Sequence, residues 1–218
     1  MNLFRENLHE AIQRQIIELL NSAGQSLNLN PRSSPRSVGD GIQDYIAQRL
    51  PDLLPANQFS KFRHDFTRRD MEDASFQDTD GNYCAVDIKT HRVSAQFSMP
   101  NLISVKRLAD FYETRSNYFA VMYVSYDFID GEWHFYTCKF VPIEYFEWSC
   151  LTIGALGWSQ IQIANANRIS ISPQIRRAWM LEMSDRLLRF YPSELAKIKK
   201  RISYFEAIKM RWLDREAI

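Results

Sequence analysis

Residues 71–92, with the sequence MEDASFQDTDGNYCAVDIKTHR, predict a β-hairpin whose apolar second strand ends in charged residues. The turn-forming run Asp-Thr-Asp-Gly at 78–81 separates the two predicted strands. The second strand closes with Asp87, Ile88 and Lys89. A carboxylate and an ammonium group at the end of a buried strand need a physical reason, because unpaired charges are costly to bury.

The turn sequence allows two hairpin registers, and they place the acidic residues differently. A two-residue type I′ loop over Asp80 and Gly81 would set Asp73 opposite Ile88, so that Asp73 and Asp87 would lie on opposite faces. A type I turn over residues 78–81, with Gly81 left-handed in a G1 bulge, would set Asp73 opposite Asp87. Lys89 would then follow Asp87 on the same face, two residues along the strand.

The second register predicts a metal site. Cross-strand neighbours lie about 5 Å apart at Cβ, and two carboxylates at that separation repel unless a cation lies between them. Two carboxylates, a nearby main-chain carbonyl and waters form the all-oxygen ligand set that magnesium prefers. A solvated strand edge is the simpler explanation for an Asp-x-Lys triplet, since charges are common on edge strands.

The rest of the chain predicts a mixed β-sheet with helices against it, in an α/β (α+β) fold formed by one domain over residues 1–218. Dense β-branched and aromatic runs predict strands over 117–129 and 133–143, and alternation predicts a half-exposed strand over 159–171. Residues 28–37 are predicted to form a loop. The predicted helices are an opening helix that ends at Gly24, a second over 38–51 closed by Pro51, a third over 100–115, and two final helices over 173–191 and 193–215 around Pro192.

Composition narrows the function without identifying it. The formal net charge is +1, so the total charge does not indicate a polyanionic partner, although basic clusters occur at 61–70, 175–179 and 197–201. Three cysteines at wide spacing predict reduced core residues and no disulfide framework. No apolar run reaches the roughly 18 residues of a membrane span, and the first residues lack the layout of a secretion signal, so a soluble, cytoplasmic protein is expected.

The segment ASFQD…YCAVDIKT resembles the motif of the PD-(D/E)xK nuclease superfamily, in which a first Asp precedes a hairpin, an acidic residue, one apolar residue and Lys. Glu72 stands where the motif name has proline. Further stretches, VDIKTHRVSAQFSMPNLISVKRLA, LGWSQIQIANANRISISPQIRRAWMLEMSDRLLRF and SVGDGIQDYIAQRL, are similar to type II restriction endonucleases of the HincII-like, SwaI-like and EcoRV-like groups. The resemblance covers residues 36–190 in patches.

The resemblance implies a homodimeric, Mg²⁺-dependent type II restriction endonuclease with a restriction-endonuclease-like mixed central sheet. Mn²⁺ is expected to substitute for Mg²⁺. Such an enzyme cuts both strands of a short palindromic site in double-stranded DNA, and this group leaves blunt ends. A companion DNA methyltransferase is implied as part of the same restriction-modification system, but not as a physical partner.

The resemblance also assigns roles to residues. Asp73 and Asp87 would bind the metal together with the carbonyl of Ile88, and Lys89 would assist the attacking water. Asp44 or Asp40 would supply a third acid from the early helix, although the family uses a longer glutamate there. The residues expected to contact DNA are Thr90, Asn101, Gln160, Gln162 and Asn165; of these, the three amide residues at 160–165 are suited to reading adenine edges.

Two other functions stay open at the level of sequence. The same fold carries structure-selective junction and repair nucleases, and the acidic pair could also belong to a non-catalytic DNA-binding module whose hairpin it caps. Cleavage of plasmid DNA compared with branched DNA separates the first alternative from a restriction enzyme. Magnesium-dependent nicking would exclude the second.

Overall fold

The computed structural model describes residues 1–27, 29–67, 70–95 and 99–215, and it is a mixed α/β fold with two β-sheets and flanking helices. The described helices are α1 (Asn2–Arg5), α2 (Leu8–Ala23), α3 (Pro35–Leu53), α4 (Val105–Tyr112) and α5 (Arg176–Leu213). The described strands are β1 (Phe59–Arg63), β2 (Ala74–Asp78), β3 (Tyr83–Arg92), β4 (Asn101–Ser104), β5 (Asn117–Ile129), β6 (Glu132–Pro142), β7 (Leu151–Gly154) and β8 (Gln160–Ile163). The predicted fold class is therefore confirmed.

The larger sheet is mixed and has the strand order β1-β2-β3-β5-β6. Among the described strands of this sheet, only β3 and β5 pair in parallel, over ten consecutive residue pairs from Tyr83↔Asn117 to Arg92↔Tyr126. The helix α4 lies between these two strands in the chain, as a parallel crossover connection requires. Strand β1 was not predicted, because its segment was interpreted only as part of the basic cluster at 61–70, of which Arg68 and Arg69 lie outside the described residues.

The β2–β3 hairpin adopts the register with the G1 bulge. Gln77 pairs with Tyr83 and Ser75 with Ala85, and Gly81 is left-handed with φ 81°. The main-chain N–H of Gly81 donates to the carbonyl of Asp78 at 3.0 Å. The side chain of Asp78 also accepts hydrogen bonds within this turn, so local chemistry fixes the register.

The α2–α3 face of the large sheet carries the main apolar core. Ile12 and Ile16 of α2 are buried there with Ile42 and Ile46 of α3. The inward-facing residues of the sheet in this core alternate along β3, as the period of a strand requires. The opposite face of β3 is therefore left for Asp87 and Lys89.

Helix α3 is longer than predicted at both ends. The prediction of a loop through residue 37 is wrong, because Ser34 caps a helix that begins at Pro35, with its hydroxyl accepting from the N–H of Ser37 at 3.2 Å. The prediction that Pro51 closes the helix is also wrong, since the helix continues to Leu53. A proline removes one main-chain donor, and the two following residues keep helical geometry.

The segment predicted as a helix over 100–115 begins as a strand. Residues 101–104 form β4, and only 105–112 form α4. The sequence pattern of residues 100–104 is compatible with a helix, but pairing with β8 decides in favour of a strand. Strand β7 completes this smaller sheet in the order β4-β8-β7. The predicted strand over 159–171 is limited to 160–163.

The chain divides into two compact units, residues 1–173 and 174–218. The second unit is described through residue 215 and consists mainly of α5, one continuous helix of 38 residues. The prediction of two helices separated at Pro192 is wrong, because the helix-forming residues on both sides sustain the helix through the single missing hydrogen bond. The prediction of one domain over 1–218 stays a prediction. None of the described helices has the length and apolar composition needed to cross a membrane.

Candidate active site

Asp87 and Lys89 project from the middle of β3 into one cavity of ≈ 640 Å³. The prediction that the strand closes with Asp87, Ile88 and Lys89 is wrong, because β3 continues to Arg92 and stays paired with β5. The Lys89 ammonium donates to Oδ1 of Asp87 at 2.5 Å. The second oxygen of the same carboxylate, Oδ2, is buried and has no hydrogen-bond partner among the described residues. One carboxylate therefore has one oxygen engaged by a cation and one oxygen that still needs a positive or donating neighbour.

Asp73 reaches the same cavity by leaving the β-ladder. The paired register ends at Ala74↔Val86, and the N–H of Asp73 donates to the carbonyl of Val86 at 2.8 Å. The regular ladder therefore stops before the predicted direct pair of Asp73 with Asp87. The Asp73 carboxylate instead accepts from the N–H of Ile88 at 2.6 Å. Asp73 and Asp87 line one cavity, as the G1-bulge register predicts and the type I′ register does not.

Both main-chain groups of Ile88 are held by side chains where β2 has ended. A regular antiparallel ladder would pair the N–H and the carbonyl of Ile88 with residue 72. Instead, the Asp73 carboxylate accepts a hydrogen bond from the N–H, and the side-chain amide of Gln43 donates one to the carbonyl. Gln43 lies on α3 between Asp40 and Asp44 and was missed, because only charged residues of that helix were considered.

Helix α3 approaches β3 closely at Gly39. A Cβ on Gly39 would lie 2.5 Å from Oγ1 of Thr90, a separation that a side chain cannot occupy. Gly39 and Gln43 are one turn apart and face the same strand, since residues four apart share a face of a helix. The missing side chain of Gly39 therefore lets Gln43 reach the carbonyl of Ile88.

Burial and the charges of neighbouring groups shift the pKa values of the three charged residues in the site. Burial raises the pKa of Asp87 to about 7; the charge of Lys89 opposes this rise and the charge of Asp73 adds to it. Burial also raises the pKa of Asp73, against the effects of Lys89 and of the hydrogen bond from Ile88. Burial alone would lower the pKa of Lys89, but the two carboxylates outweigh it and raise that pKa. Lys89 is therefore held protonated.

Neither candidate for the third acid lines the cavity of Asp73 and Asp87, but Asp40 lines a neighbouring cavity that Lys89 also lines. Asp40 and Asp44 are exposed on α3, and their charges contribute weakly to raising the pKa of Asp73. Within the described residues, no group of three or more His, Cys, Asp or Glu side chains is arranged to hold a metal ion. The role of Asp40 or Asp44 as a third acid stays a prediction.

A second cavity of ≈ 650 Å³ adjoins the first at Lys89, which lines both. Thr90, Asn101 and Arg92 line this second cavity. Asn101 lies in β4, so the prediction that it stands at a helix start is wrong. The connection from β3 to Asn101 includes residues 96–98, which lie outside the described part of the chain.

The amide residues predicted to contact DNA have different environments. Gln160 lines the cavity of Asp87, and the side chain of Gln162 donates to Oδ1 of Asn101 at 2.6 Å. Asn165 lines neither cavity, and its Oδ1 accepts from the N–H of Asn167 at 2.9 Å, as in a local turn. Gln160, Gln162 and Asn101 therefore lie on one small sheet beside Lys89, whereas Asn165 supports the chain that follows it.

The residues present fit a hard divalent cation. Oδ2 of Asp87 is a buried acceptor without a donor, and Asp73 adds a second carboxylate on the same cavity. Carboxylate oxygens with waters are ligands that Mg²⁺ accepts. The Ile88 carbonyl, which was predicted as a further ligand, already accepts from Gln43 and has a second lone pair.

No protein-family model matches the chain, and no curated protein shows significant sequence similarity to it.

Proposed function

We propose that this protein is a Mg²⁺-dependent endonuclease that hydrolyses phosphodiester bonds in both strands of a short, palindromic site in double-stranded DNA. One observation carries the proposal: the cavity of Asp73 and Asp87 contains a buried carboxylate oxygen that lacks a partner, beside an ammonium group fixed on the other oxygen. That arrangement places two anionic oxygens and one cation around a space open to a phosphate.

Asp73 and Asp87 would hold the ion, and the ion when bound supplies neutralisation of phosphate charge and acidifies water. Lys89 is protonated and donates to Oδ1 of Asp87, and its ammonium group can also donate to a phosphate oxygen or orient the attacking water. Glu72 lines the same cavity and accepts from the hydroxyl of Tyr83 at 2.9 Å, which fixes it beside the site.

The surroundings of the site suit a nucleic-acid substrate. Arg107 lines the cavity of Asp87, and Arg92, whose Nε donates to Asp127, lines the adjoining one. A phosphate backbone that follows the two cavities would therefore meet a guanidinium group in each of them. Gln160 and Asn101 offer amide groups next to this path, and amides are suited to adenine edges. A palindromic site read by one active site per strand implies a two-fold symmetric dimer.

The test is digestion of a mapped plasmid by purified protein with Mg²⁺, with Mn²⁺ and with EDTA. We expect discrete fragments with both metals and none with EDTA, and sequencing of the ends gives the site and shows whether the cuts are blunt. Asp87→Ala and Lys89→Ala are expected to reduce cleavage at least about 100-fold while DNA binding by gel shift persists.

Matched controls and a branched substrate make this test specific. Asp80→Ala removes an exposed carboxylate from the turn of the same hairpin, and it should leave cleavage intact. Full cleavage by Asp87→Ala would contradict the proposal. Cutting of a four-way DNA junction without cutting of the plasmid would identify a structure-selective nuclease instead. Binding of DNA without cutting under any metal would indicate a binding module.

A further inference from the structure

The last helix carries a regular apolar stripe that the proposed active site does not use. Its spacing alternates three and four residues after Pro192, which is the a/d pattern of a heptad repeat. We call this set the heptad stripe; it consists of Leu195, Ile198, Ile202, Phe205, Lys209 and Trp212. Leu188 and Tyr191 extend the same spacing by one heptad on the other side of Pro192. From Leu188 to Trp212 the pattern runs for about 36 Å of helix.

The apolar members of the heptad stripe are exposed. Their exposed fractions run from 46% for Ile198 to 64% for Phe205. Ile198, Ile202 and Phe205 line a concave surface together with Lys209 of the stripe and the flanking residues Arg201 and Glu206. A continuous apolar seam of this length on a soluble helix indicates a surface that another chain covers.

The charges beside the stripe indicate what covers it. In a parallel, in-register pair of helices, a g residue of one chain faces the e residue of the next heptad in the other. These pairs are Glu194 with Lys199 and Arg201 with Glu206, so both combine opposite charges. The next pair in the series, Ile208 with Leu213, is apolar. All three pairs are thus complementary when the partner is a second copy of the same helix.

We propose that α5 forms a parallel, two-stranded coiled coil with α5 of a second copy of this chain, and that this pairing is a dimer interface of the protein. Lys209 at an a position favours two strands, because a lone polar core residue can reach water from a dimer and is more deeply buried in higher oligomers. The pairing also explains the basic cluster at 197–201: Lys199 and Arg201 border the seam, while Lys197 forms an ion pair with Glu194 within the helix.

This inference is independent of the proposed nuclease activity. A coiled coil through α5 would hold two copies together whatever reaction the first unit performs. The tests below measure association alone, so their failure leaves the cleavage proposal standing, and absence of cleavage leaves this one standing.

The first test measures the association of the full chain by sedimentation velocity and equilibrium. We expect the wild type to be a dimer at about 50 µM. The double variant I198E/I202E should raise the dissociation constant at least about 100-fold, because it places four carboxylates in the seam. The matched control A196E/S203E adds the same charge at outward b positions and should remain dimeric. A monomeric wild type, or a dimer that I198E/I202E leaves unchanged, would overturn the proposal.

A charge exchange tests the partner. Arg201→Glu and Glu206→Arg each create repelling g–e′ pairs in a homodimer, so each variant should dimerise more weakly than the wild type. Mixing the two variants allows a heterodimer in which both g–e′ pairs combine opposite charges, so the mixture should associate more strongly than either variant alone. Combining both changes in one chain, R201E/E206R, restores every pair in a homodimer. We expect the combined variant to recover wild-type association, and unequal association of the wild type and R201E/E206R would count against the proposed pairing.

A crosslink tests the orientation. Lys209→Cys places thiols opposite each other at an a position of a parallel, in-register pair, where a disulfide can form. The control Lys200→Cys places them at an outward f position, too far apart. Cys84, Cys138 and Cys150 are buried and do not compete. Mild oxidation should give a disulfide-linked dimer for Lys209→Cys alone. A soluble dimer that Lys209→Cys does not crosslink would exclude the parallel arrangement.

Discussion

The carboxylate of Asp73 accepts a hydrogen bond from the N–H of Ile88 at 2.6 Å, in the place where a continuing strand would supply a main-chain carbonyl. This contact turns the end of a β-ladder into one wall of a cavity, because Asp73 no longer follows the alternation of β2. Asp87 and Lys89 line the same cavity, and the charges of Lys89 and Asp73 both act on the pKa of Asp87. Predictions about metal binding, packing and stability follow from this geometry.

Metal binding should depend on Asp87. In the wild type, saturating Mg²⁺ is expected to raise the melting temperature, because an ion bound only by the folded state stabilises it by about 2.7 kcal/mol at 100 times its dissociation constant. Asp87→Asn removes the negative charge of the buried carboxylate whose Oδ2 has no donor among the described residues, so most of this increase should vanish. Differential scanning fluorimetry with and without Mg²⁺ measures it.

The control for that measurement is Asp80→Asn, which changes an exposed acid in the same hairpin. It should keep the full increase. An equal increase in Asp87→Asn would mean that the ion binds elsewhere. The absence of any increase in the wild type would remove the physical basis of the metal site.

Gly39 should be required for the close approach of α3 to β3. Gly39→Ala gains about 1 kcal/mol of helix propensity but brings Cβ against Oγ1 of Thr90, and such overpacking costs about 1–3 kcal/mol. We therefore expect a net decrease in the free energy of unfolding. In a Thr90→Ala background the obstructing oxygen is gone, so Gly39→Ala should stabilise. Urea unfolding of the wild type, the two single variants and the double variant gives the coupling energy between positions 39 and 90.

Gly41 on the same helix provides a contrast to Gly39. Its added Cβ would meet only the end of the Leu29 side chain, which can rotate away. Gly41→Ala should therefore be nearly neutral or stabilising. Additive effects of Gly39→Ala and Thr90→Ala would show that the two residues do not constrain each other.

Gln43 should stabilise β3 where its pairing with β2 has ended, by donating to the carbonyl of Ile88. Gln43→Leu leaves that carbonyl without its side-chain donor, and an unsatisfied buried carbonyl costs about 1–3 kcal/mol. We expect a corresponding loss in urea unfolding and a decrease in any metal-dependent cleavage. Gln48→Leu, an exposed position on the same helix, is the control. Equal losses in both variants would show that the hydrogen bond contributes nothing of its own.

Asp127 should make stability depend on pH in the acidic range. Its carboxylate accepts from Arg92 at 2.9 Å and from the hydroxyl and N–H of Ser94 at 3.0 Å each. Burial would raise the pKa of Asp127, but these hydrogen bonds outweigh it and lower that pKa. Because the pKa of Asp127 is lower in the folded than in the unfolded state, its carboxylate stabilises the fold at pH values above the unfolded-state pKa, which is about 4. This stabilisation is lost as the pH falls through the folded-state pKa.

Asp127→Asn should therefore lower the free energy of unfolding by about 1–3 kcal/mol at pH 7, and the difference from the wild type should shrink below about pH 4. Urea unfolding at pH 7, 5 and 3.5 measures this. Asp130→Asn, in the exposed turn between β5 and β6, is the control and should show little effect at any of these pH values. A deficit that stays constant with pH would mean that the charge of Asp127 is not involved.

Local sequence alone determined the hairpin and limited its register to two alternatives, of which the structure adopts the one with the G1 bulge. Asp78 and Gly81 favour one turn geometry through their own main-chain and side-chain preferences, and the period of a strand then assigns Asp87 and Lys89 to one face. The strand over 117–129 follows in the same way from its composition. Neighbouring residues carry this information, so it is available before the chain folds.

Only the tertiary structure decided how the end of the β2–β3 ladder becomes a site. The exit of Asp73 from the ladder, the reach of Gln43 to Ile88 and the contact of Gly39 with Thr90 join residues from 15 to 51 positions apart. Pairing with β8 likewise made residues 101–104 a strand where their pattern is compatible with a helix. Such contacts depend on which elements pack together, and a local pattern does not encode that choice because several partners satisfy the same period.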